Sequence, residues 1–357
     1  MVNDYALDTG WGAEIYVSRL VNGLRDAGHI VGLFAGEIHP EGVRGPLEVW
    51  DRAARRALVH AAERFQPDVV HHHNVVRRLT ISVIGAPRGS PTVLTVHDPA
   101  LLGDPDAEPK LVRDAFYALR SRFAVAAVRR RVHVTTTYTN ALSERLRARG
   151  FRDVERIPAF VEVVPNETVP IEKGDDVVFV GQLTPKKAPV LLAEAFARIA
   201  GRYPAARLVI VGEGPEREAL SRIADRVGGD RIVLTGRIDQ DGVRTVMGRA
   251  RVVVVPSLRA EGGPLVVIEA AILGRPLIVT DDPPLRELVD RSGGGIVVKR
   301  GSLEELVDAL ERMLSNPQEA ARMGISGRNT AMTEHVAACV VPKFVAVYER
   351  AIKAASA

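Results

Sequence analysis

The sequence has a single cysteine, Cys339, and few aromatic residues, which make up 5% of its 357 positions. One cysteine excludes an internal disulfide framework and any cysteine-rich metal site. The shortage of aromatic side chains leaves little material for the stacking platforms that bind single-stranded nucleic acid, and the formal net charge is only +4. We therefore expect neither a bound metal nor a nucleic-acid partner.

Long hydrophobic runs are also missing. No apolar stretch approaches the ~20 residues that a membrane-spanning helix needs. Residues 1–12 contain acids and glycines instead of the basic start and apolar core of a secretory signal. The prediction is a cytoplasmic protein whose length and 46% hydrophobic residues suit two globular domains, each with its own core.

Apolar, β-branched runs alternate with helical patterns along the chain, and this alternation predicts parallel sheets built from βαβ units. A stretch rich in proline and acids, residues 158–176, is typical of an interdomain linker. The predicted strands before it are 30–34, 69–72, 93–96 and 132–136, and those after it are 177–180, 208–211, 232–234, 252–255, 277–279 and 295–298.

Residues 256–270 carry the clearest signal for a ligand. They follow an all-valine strand, and Gly262 and Gly263 stand before Pro264, a residue suited to the first position of a helix because it has no N–H to satisfy. The free amides and partial positive charge of a helix start favour a phosphate. With Glu261 and Glu269 on either side, the sequence predicts a site for an anionic, polyhydroxylated ligand.

Other candidates follow other strands. Lys187 precedes a helix pattern, where it could meet a diphosphate or be an ordinary solvated lysine. The segment from Gly10 to Gly12 opens the first long helix and offers free amides to an anion. His97 follows strand 93–96, where it could bond a sugar hydroxyl or be a hydrogen-bonded loop histidine.

Three further motifs favour structural interpretations. The segment 212–215 has only two glycines of the dinucleotide-binding fingerprint, and Pro215 suits a helix start. His71, His72 and His73 alternate between the two faces of a strand, so they do not converge on one ion. Residues 111–131 form a basic amphipathic helix pattern, and its apolar face suits the domain core better than the alternative, a weak peripheral contact with a membrane.

With these residues in place, the sequence resembles the family 4 retaining glycosyltransferases, most strongly over residues 177–314. The E-x7-E element of that family looks like Glu261 to Glu269. The resemblance implies the GT-B fold, which is α/β with two Rossmann-like, doubly wound parallel-sheet domains facing a cleft. The implied parts are an acceptor-side domain at 1–165, a nucleotide-sugar domain at 166–335 and a C-terminal helix at 336–357.

The resemblance also implies roles for individual residues. Glu261 would hold the hydroxyls of the donor sugar, and Glu269 would hold the ribose. Lys187 would neutralise the diphosphate, and His97 would lie near the reacting sugar. The other implied donor-binding positions are Gly12, Gly181, Gln182, Gly236, Arg237, Ile238, Gly262, Gly263, Pro264 and Leu265.

The implied reaction is the transfer of a sugar from a UDP- or GDP-linked donor to an acceptor hydroxyl with retention, without metal or cofactor. A sugar-nucleotide 2-epimerase-like isomerase and a catalytically silent nucleotide-sugar-binding protein are the alternatives. The sequence departs from the family at three places. Gln182 replaces a customary arginine, and Trp11 separates glycines that are usually paired. The first strand of the family extends several residues upstream of Val2, so we expect either an unusually short central strand or a chain without its first residues.

Overall fold

The structure is a computed structural model, and it describes residues 1–3, 12–35, 51–73, 81–97, 125–163, 168–259 and 265–357. The chain divides into two compact units, one formed by Met1–Val161 together with Ala337–Ala357 and the other by Glu162–Val336. Each unit contains one six-stranded sheet, and every strand pair is parallel. The predicted α/β fold with two parallel-sheet domains is confirmed.

The first sheet has the strand order β2-β1-β3-β4-β5-β6. Its strands are short, and the C-terminal helix of the chain belongs to the same unit as they do. The elements are β1 Val2–Asn3, α1 Gly12–Asp26, β2 Phe34–Ala35, α2 Arg52–Phe65, β3 Val70–His73, β4 Thr92–Val96, β5 Val134–Thr137, α3 Asn140–Ala148, β6 Val154–Arg156 and, at the end of the chain, α11 Ala337–Ala355.

Helices α1 and α11 pack closely in this unit. A Cβ atom at Gly23 would lie 2.8 Å from a methyl carbon of Val341, so the missing side chain allows the two helices to approach. The apolar face of α1 includes Val17 and Leu20, which are both fully buried. The described helices include none that is long and apolar enough to cross a lipid bilayer.

The second sheet has the order β12-β11-β10-β7-β8-β9. All six strands predicted for this half of the chain are present, within two residues of the expected bounds. The elements are β7 Asp176–Val180, α4 Pro189–Ile199, β8 Arg207–Val211, α5 Arg217–Val227, β9 Ile232–Gly236, α6 Gln240–Gly248, β10 Ala250–Val255, α7 Leu265–Ile272, β11 Leu277–Thr280, α8 Pro283–Ser292, β12 Gly295–Val298, α9 Leu303–Ser315 and α10 Pro317–Glu334.

The predicted strand at 30–34 is wrong for most of its length. Strand β1 pairs Val2 with Phe34 and Asn3 with Ala35, so β2 begins only at Phe34. Ile30 is 88% exposed and lies in irregular backbone after a glycine turn, in which the His29 amide donates to the Leu24 carbonyl (3.0 Å). The apolar run therefore does not form a strand over most of its length, because the residues that pair with β1 begin only at Phe34.

Each sheet has one point at which the strand order reverses. In the first sheet this point lies between β1 and β3, and in the second it lies between β7 and β10. In open α/β sheets, ligands bind at such a point, in the crevice outside the carboxyl ends of the two strands. The loops after β7 and β10 are therefore the places to look for a site in the second unit.

Arg251 in β10 fixes the segment that leads into the second sheet. Its side chain is 3% exposed, and its Nε donates to the carbonyl oxygens of Ile171 (2.8 Å) and Gly174 (2.7 Å). Its Nη2 also donates to Asp175 Oδ1 (3.1 Å). A buried guanidinium is tolerated only when its donors are satisfied in this way.

Replacing Arg251 by methionine should destabilise the second unit by about 2–4 kcal/mol, because several buried carbonyl groups lose their donor. Denaturant unfolding followed by circular dichroism measures the change. The matched control is Arg249→Met, since Arg249 lies two residues away with an exposed side chain and should change stability by less than about 0.5 kcal/mol. Equal effects of the two substitutions would show that the carbonyl contacts contribute nothing.

Candidate functional site

Two loops at the reversal point of the second sheet are joined by a backbone hydrogen bond, and a second bond ties one of them to β11. The first follows β7 and runs from Gly181 to Lys187, and the second begins at Ser257 after β10. The Leu258 amide donates to the Lys186 carbonyl oxygen (2.8 Å), and the Thr280 hydroxyl donates to the Ser257 carbonyl oxygen (2.9 Å). The lysine loop is thus held beside the segment that leads to Glu261.

The glycines of the 212–215 motif let a third loop approach the lysine loop. Gly212 has φ +143°, and a Cβ atom there would lie 1.9 Å from the carbonyl oxygen of Gly181. A Cβ atom at Gly214 would lie 2.4 Å from the carbonyl oxygen of Leu183, whose own amide donates to the Glu213 carbonyl (2.9 Å). Both glycines therefore provide space for backbone, and the helix that follows begins at Arg217, two residues after Pro215. The structural interpretation of the motif stays a prediction.

Lys187 lies half-buried immediately before α4, and Gln182 is exposed at the start of the same loop. The backbone amide of Lys187 donates to the Thr184 carbonyl (2.9 Å). The next residue, Ala188, has φ +51°, a left-handed conformation that costs roughly 1–2 kcal/mol for a residue with a Cβ atom. This turn places Lys187 at the amino end of α4, where Pro189 occupies a first-turn position.

The turn after β9 belongs to the same edge of the sheet. Gly236 has φ +71°, and its carbonyl oxygen accepts from the Gly212 amide (3.0 Å). The positive φ favours glycine at this position, and the atom nearest to a Cβ there would be Oε1 of the flexible Glu213 side chain, at 2.8 Å. Arg237 is exposed and Ile238 is half-buried in the turn that follows.

The last described candidates of this unit lie on α7. Leu265 is its first residue and Glu269 lies one turn further on, half-buried. Four predicted site residues, Glu261, Gly262, Gly263 and Pro264, lie outside the described residues. All the described candidates of the second unit therefore lie at the carboxyl ends of β7, β9 and β10.

In the first unit, Gly12 is the exposed first residue of α1, and Trp11 lies outside the described residues. His97 follows β4 and is 7% exposed. The Tyr138 hydroxyl lies 2.8 Å from His97 Nδ1, and His73 Nδ1 lies 3.0 Å from His97 Nε2. Burial lowers the pKa of His97 to about 3, so the imidazole is neutral at physiological pH.

The three consecutive histidines divide between the faces of β3, as their alternation predicts. The rings of His71 and His73 share one face, with centroids 4.0 Å apart. His71 bonds the Tyr348 hydroxyl through Nδ1 (2.9 Å) and the Thr95 hydroxyl through Nε2 (2.6 Å). Within the described ranges, no group of three or more histidine, cysteine or acidic side chains is arranged to hold a metal ion.

Sequence reasoning missed His73 and Tyr138 as companions of His97. All three residues stand at or just beyond the carboxyl ends of neighbouring strands, and that shared position was the only available signal. The basic helix pattern at 111–131 lies mostly outside the described residues. In its described part, residues 125–129 are helical, and Val125 and Val128 are buried in the core of the first unit.

Each half of the chain matches a known family. Residues 11–164 match the family described as Glycosyltransferase Family 4, and residues 162–330 match the family described as Glycosyl transferases group 1. The two matches identify the chain as an enzyme of the family 4 type of glycosyltransferases.

Curated relatives include the alpha-D-kanosaminyltransferase of Streptomyces kanamyceticus, which is 31% identical over 41% of this chain and 38% of its own length. A GDP-mannose-dependent mannosyltransferase of Mycobacterium tuberculosis is 31% identical over 43% of this chain and 41% of its own length. The chain thus spans about two fifths of the length of these two relatives. The phosphatidyl-myo-inositol mannosyltransferase of Mycolicibacterium smegmatis is 25% identical over 89% of this chain and 85% of its own length.

Solved structures show the same fold at lower identity. A sucrose-phosphate synthase from Thermosynechococcus elongatus has a TM-score of 0.79 at 21% identity, with 99% of this chain and 98% of that chain covered. The HepE protein of Anabaena, solved with UDP and glucose, has a TM-score of 0.76 at 18% identity, with 98% of both chains covered. These likenesses support the GT-B assignment of the fold.

A methyl group at Gly212 should disrupt the loops of the second unit. Gly212→Ala would place a Cβ atom 1.9 Å from the Gly181 carbonyl oxygen, and we expect a loss of about 2–4 kcal/mol in unfolding free energy. Gly201→Ala is the control, because nothing lies within 4 Å of a Cβ atom there. Circular dichroism during urea unfolding reports both values, and equal stabilities would refute the close approach of the loops.

His72 should make the first unit sensitive to acid. It is fully buried on the opposite face from His73, neither ring nitrogen has a hydrogen-bond partner among the described residues, and burial lowers its pKa to about 3. Between about pH 6.5 and pH 3 the unfolded chain binds a proton at this position that the folded chain does not bind. Stability therefore falls with falling pH across this window, by about 1.4 kcal/mol per pH unit for this group.

Substituting His72 by leucine should reduce that slope by about 1.4 kcal/mol per pH unit without loss of stability at pH 7.5, since no described hydrogen bond is broken. Both tryptophans, Trp11 and Trp50, lie within the sequence range of the first unit, so we expect their fluorescence to follow its unfolding in urea. An unchanged pH slope would show that His72 is protonated in the folded state.

Proposed function

We propose that the chain transfers a glycosyl group from a nucleotide-diphosphate sugar to an acceptor hydroxyl, with retention at the anomeric carbon. The observation that carries the proposal is the junction of two loops at the reversal point of the second sheet. The Leu258 amide donates to the Lys186 carbonyl there (2.8 Å), so the lysine loop lies beside the segment that leads to Glu261. A cation next to a helix start suits a diphosphate, and acids suit the hydroxyls of sugar and ribose.

Lys187 and the amino end of α4 would stabilise the departing diphosphate. As the bond between the anomeric carbon and the diphosphate oxygen breaks, negative charge grows on the diphosphate, and fixed positive charge lowers the energy of that state. The acceptor oxygen forms the new bond to the anomeric carbon, and its proton passes to the diphosphate oxygen on the same face. This scheme needs no carboxylate nucleophile, unlike that of retaining hydrolases.

The printed names of several relatives support a nucleotide sugar as donor. One mycobacterial relative is GDP-mannose-dependent, and the Anabaena structure holds UDP. These two differ in their base, so we propose a UDP- or GDP-linked donor, with the turn from Gly236 to Ile238 as the contact to the base and Glu269 as the contact to the ribose.

An epimerase-like isomerase would convert the nucleotide sugar without any acceptor, and a silent homologue would bind it without releasing sugar. One assay separates the three. Incubation with nucleotide sugar alone, followed by addition of a panel of acceptor sugars, should release nucleoside diphosphate at a rate that depends on the acceptor. Conversion without acceptor indicates the isomerase, and binding without conversion indicates the silent protein.

Lys187→Met should weaken the binding of the nucleoside diphosphate by roughly 10- to 100-fold, which corresponds to the loss of a charge-assisted hydrogen bond of about 1.5–3 kcal/mol. Calorimetric titration with UDP, GDP and ADP measures the change. Lys173→Met, at the amino end of β7, removes the same charge away from the site and should bind as the natural chain does. Parallel losses in both variants would assign the effect to net charge alone.

Replacing Glu261 by alanine should lower turnover at least about 100-fold with little effect on folding, since this acid would hold the donor sugar at the reacting centre. Diphosphate release gives the rate, and the urea midpoint gives the stability. Undiminished turnover in a folded Glu261→Ala protein would remove Glu261 from the proposed site.

A further inference from the structure

The end of β3 places His73 beside the reversal point of the first sheet. His73 is the last residue of β3, and its register partners are Asn3 on β1 and Thr95 on β4. The carboxyl ends of β1 and β3 form the edge at which an open α/β sheet binds ligands. His73 nevertheless has no exposed surface, so its imidazole acts through the groups that surround it.

Both ring nitrogens of His97 hold partners from the neighbouring strands. His73 Nδ1 lies 3.0 Å from Nε2. The Tyr138 hydroxyl lies 2.8 Å from Nδ1, nearer than to Nε2 at 3.4 Å. Tyr16 from α1 packs edge-on against both rings, with centroid distances of 5.8 Å to His97 and 4.9 Å to Tyr138. The His97 ring is thus held by hydrogen bonds on two sides and packs against Tyr16 on a third.

The number of protons restricts how these groups can bond. Burial keeps His97 neutral, with its pKa lowered to about 3, so its ring carries one N–H. Two neutral arrangements satisfy both contacts. In one, the Tyr138 hydroxyl donates to Nδ1 and the Nε2–H of His97 donates to His73 Nδ1. In the other, the Nδ1–H of His97 donates to the Tyr138 oxygen and the Nδ1–H of His73 donates to His97 Nε2. In either arrangement the protons of the three groups are coupled, so His97 holds a single tautomer.

We propose that His73 and Tyr138 are positioning residues that hold the His97 ring in one orientation and in one tautomer. The proposal rests on the proposed function, together with the position of His97 near the reacting sugar that the family resemblance implies. An imidazole without these two bonds could rotate and exchange tautomers, and a misplacement of about 1 Å at a reacting centre can cost about 100-fold in rate. With both bonds in place, His97 presents the same ring face and the same dipole in every turnover.

A second histidine–tyrosine contact in the same unit provides a matched control. Tyr348 on α11 bonds His71 Nδ1 at 2.9 Å, and both tyrosines are buried. Tyr348→Phe therefore removes one buried phenol–imidazole hydrogen bond, as Tyr138→Phe does, but leaves the contacts of His97 intact. A merely structural role for Tyr138 would make these two variants equivalent.

The first test uses the protein labelled with 15N-histidine. Two-bond 15N–1H spectra distinguish the tautomers, and the natural chain should show His97 in a single tautomer. Tyr138→Phe and His73→Leu should convert that signal to a mixture of tautomers, whereas Tyr348→Phe should not. His73→Asn should restore the single tautomer, because its amide can accept from Nε2 through Oδ1 or donate to it through Nδ2 in place of His73 Nδ1.

The second test uses diphosphate release from the nucleotide sugar that the natural chain turns over in a panel of UDP-, GDP- and ADP-linked sugars. We expect kcat to fall about 10- to 100-fold in Tyr138→Phe and His73→Leu, with KM changed less than about threefold, and to recover at least in part in His73→Asn. Tyr348→Phe should retain the natural kcat.

An unchanged His97 tautomer in both Tyr138→Phe and His73→Leu would overturn the proposal, and so would a changed tautomer with natural kcat. Failure of the proposed function would give a different result. A natural chain without turnover on any nucleotide sugar would remove the role of His97 near a sugar, while the spectra would still show whether its two neighbours fix the ring.

Discussion

The close approach of backbone at Gly212 and Gly214 determines the geometry of the second unit's ligand edge. A side chain at either position would collide with a carbonyl oxygen of the lysine loop. Because both residues are glycines, three loops that follow three different strands come close enough to share hydrogen bonds. The lysine loop is then bonded on one side to the loop after β8 and on the other to the segment after β10. Lys187 and the Gly236 turn depend on this packing for their positions.

The first unit uses a different kind of chemistry at the corresponding edge. Polar side chains on one face of β3, β4 and β5 bond one another beneath the carboxyl ends of the strands, and the contact between the Thr95 and Thr136 hydroxyls (2.6 Å) extends the series across β4 and β5. These groups are buried, and burial lowers the pKa of His71 and His73 well below the usual value, so they are neutral. They shape this edge of the sheet through their hydrogen bonds to one another and not through direct contact with a ligand.

The sequence predicted much of the second unit, because strands that are buried on both faces produce continuous apolar runs such as 252–255. It predicted the first unit less well. Strand β6, with Glu155 and Arg156 half-buried, has no apolar run, and the run at 30–34 is mostly not a strand. Strand order and register depend on contacts between distant segments, so the pairing of Tyr138 with His97 could not be read from local patterns. Lys187 and Gly236 were identifiable because a turn or a helix start marks each of them in the sequence.

The division of the chain has a consequence for its synthesis. The first unit is discontinuous: it begins with β1 and is completed by α11, which packs against α1 where Gly23 meets Val341. The whole second unit lies between these two parts of the chain and has its own sheet and core. The second unit is therefore synthesised before the closing helix of the first, and the face of α1 that packs against α11 lacks its partner until residues 337–355 have been made.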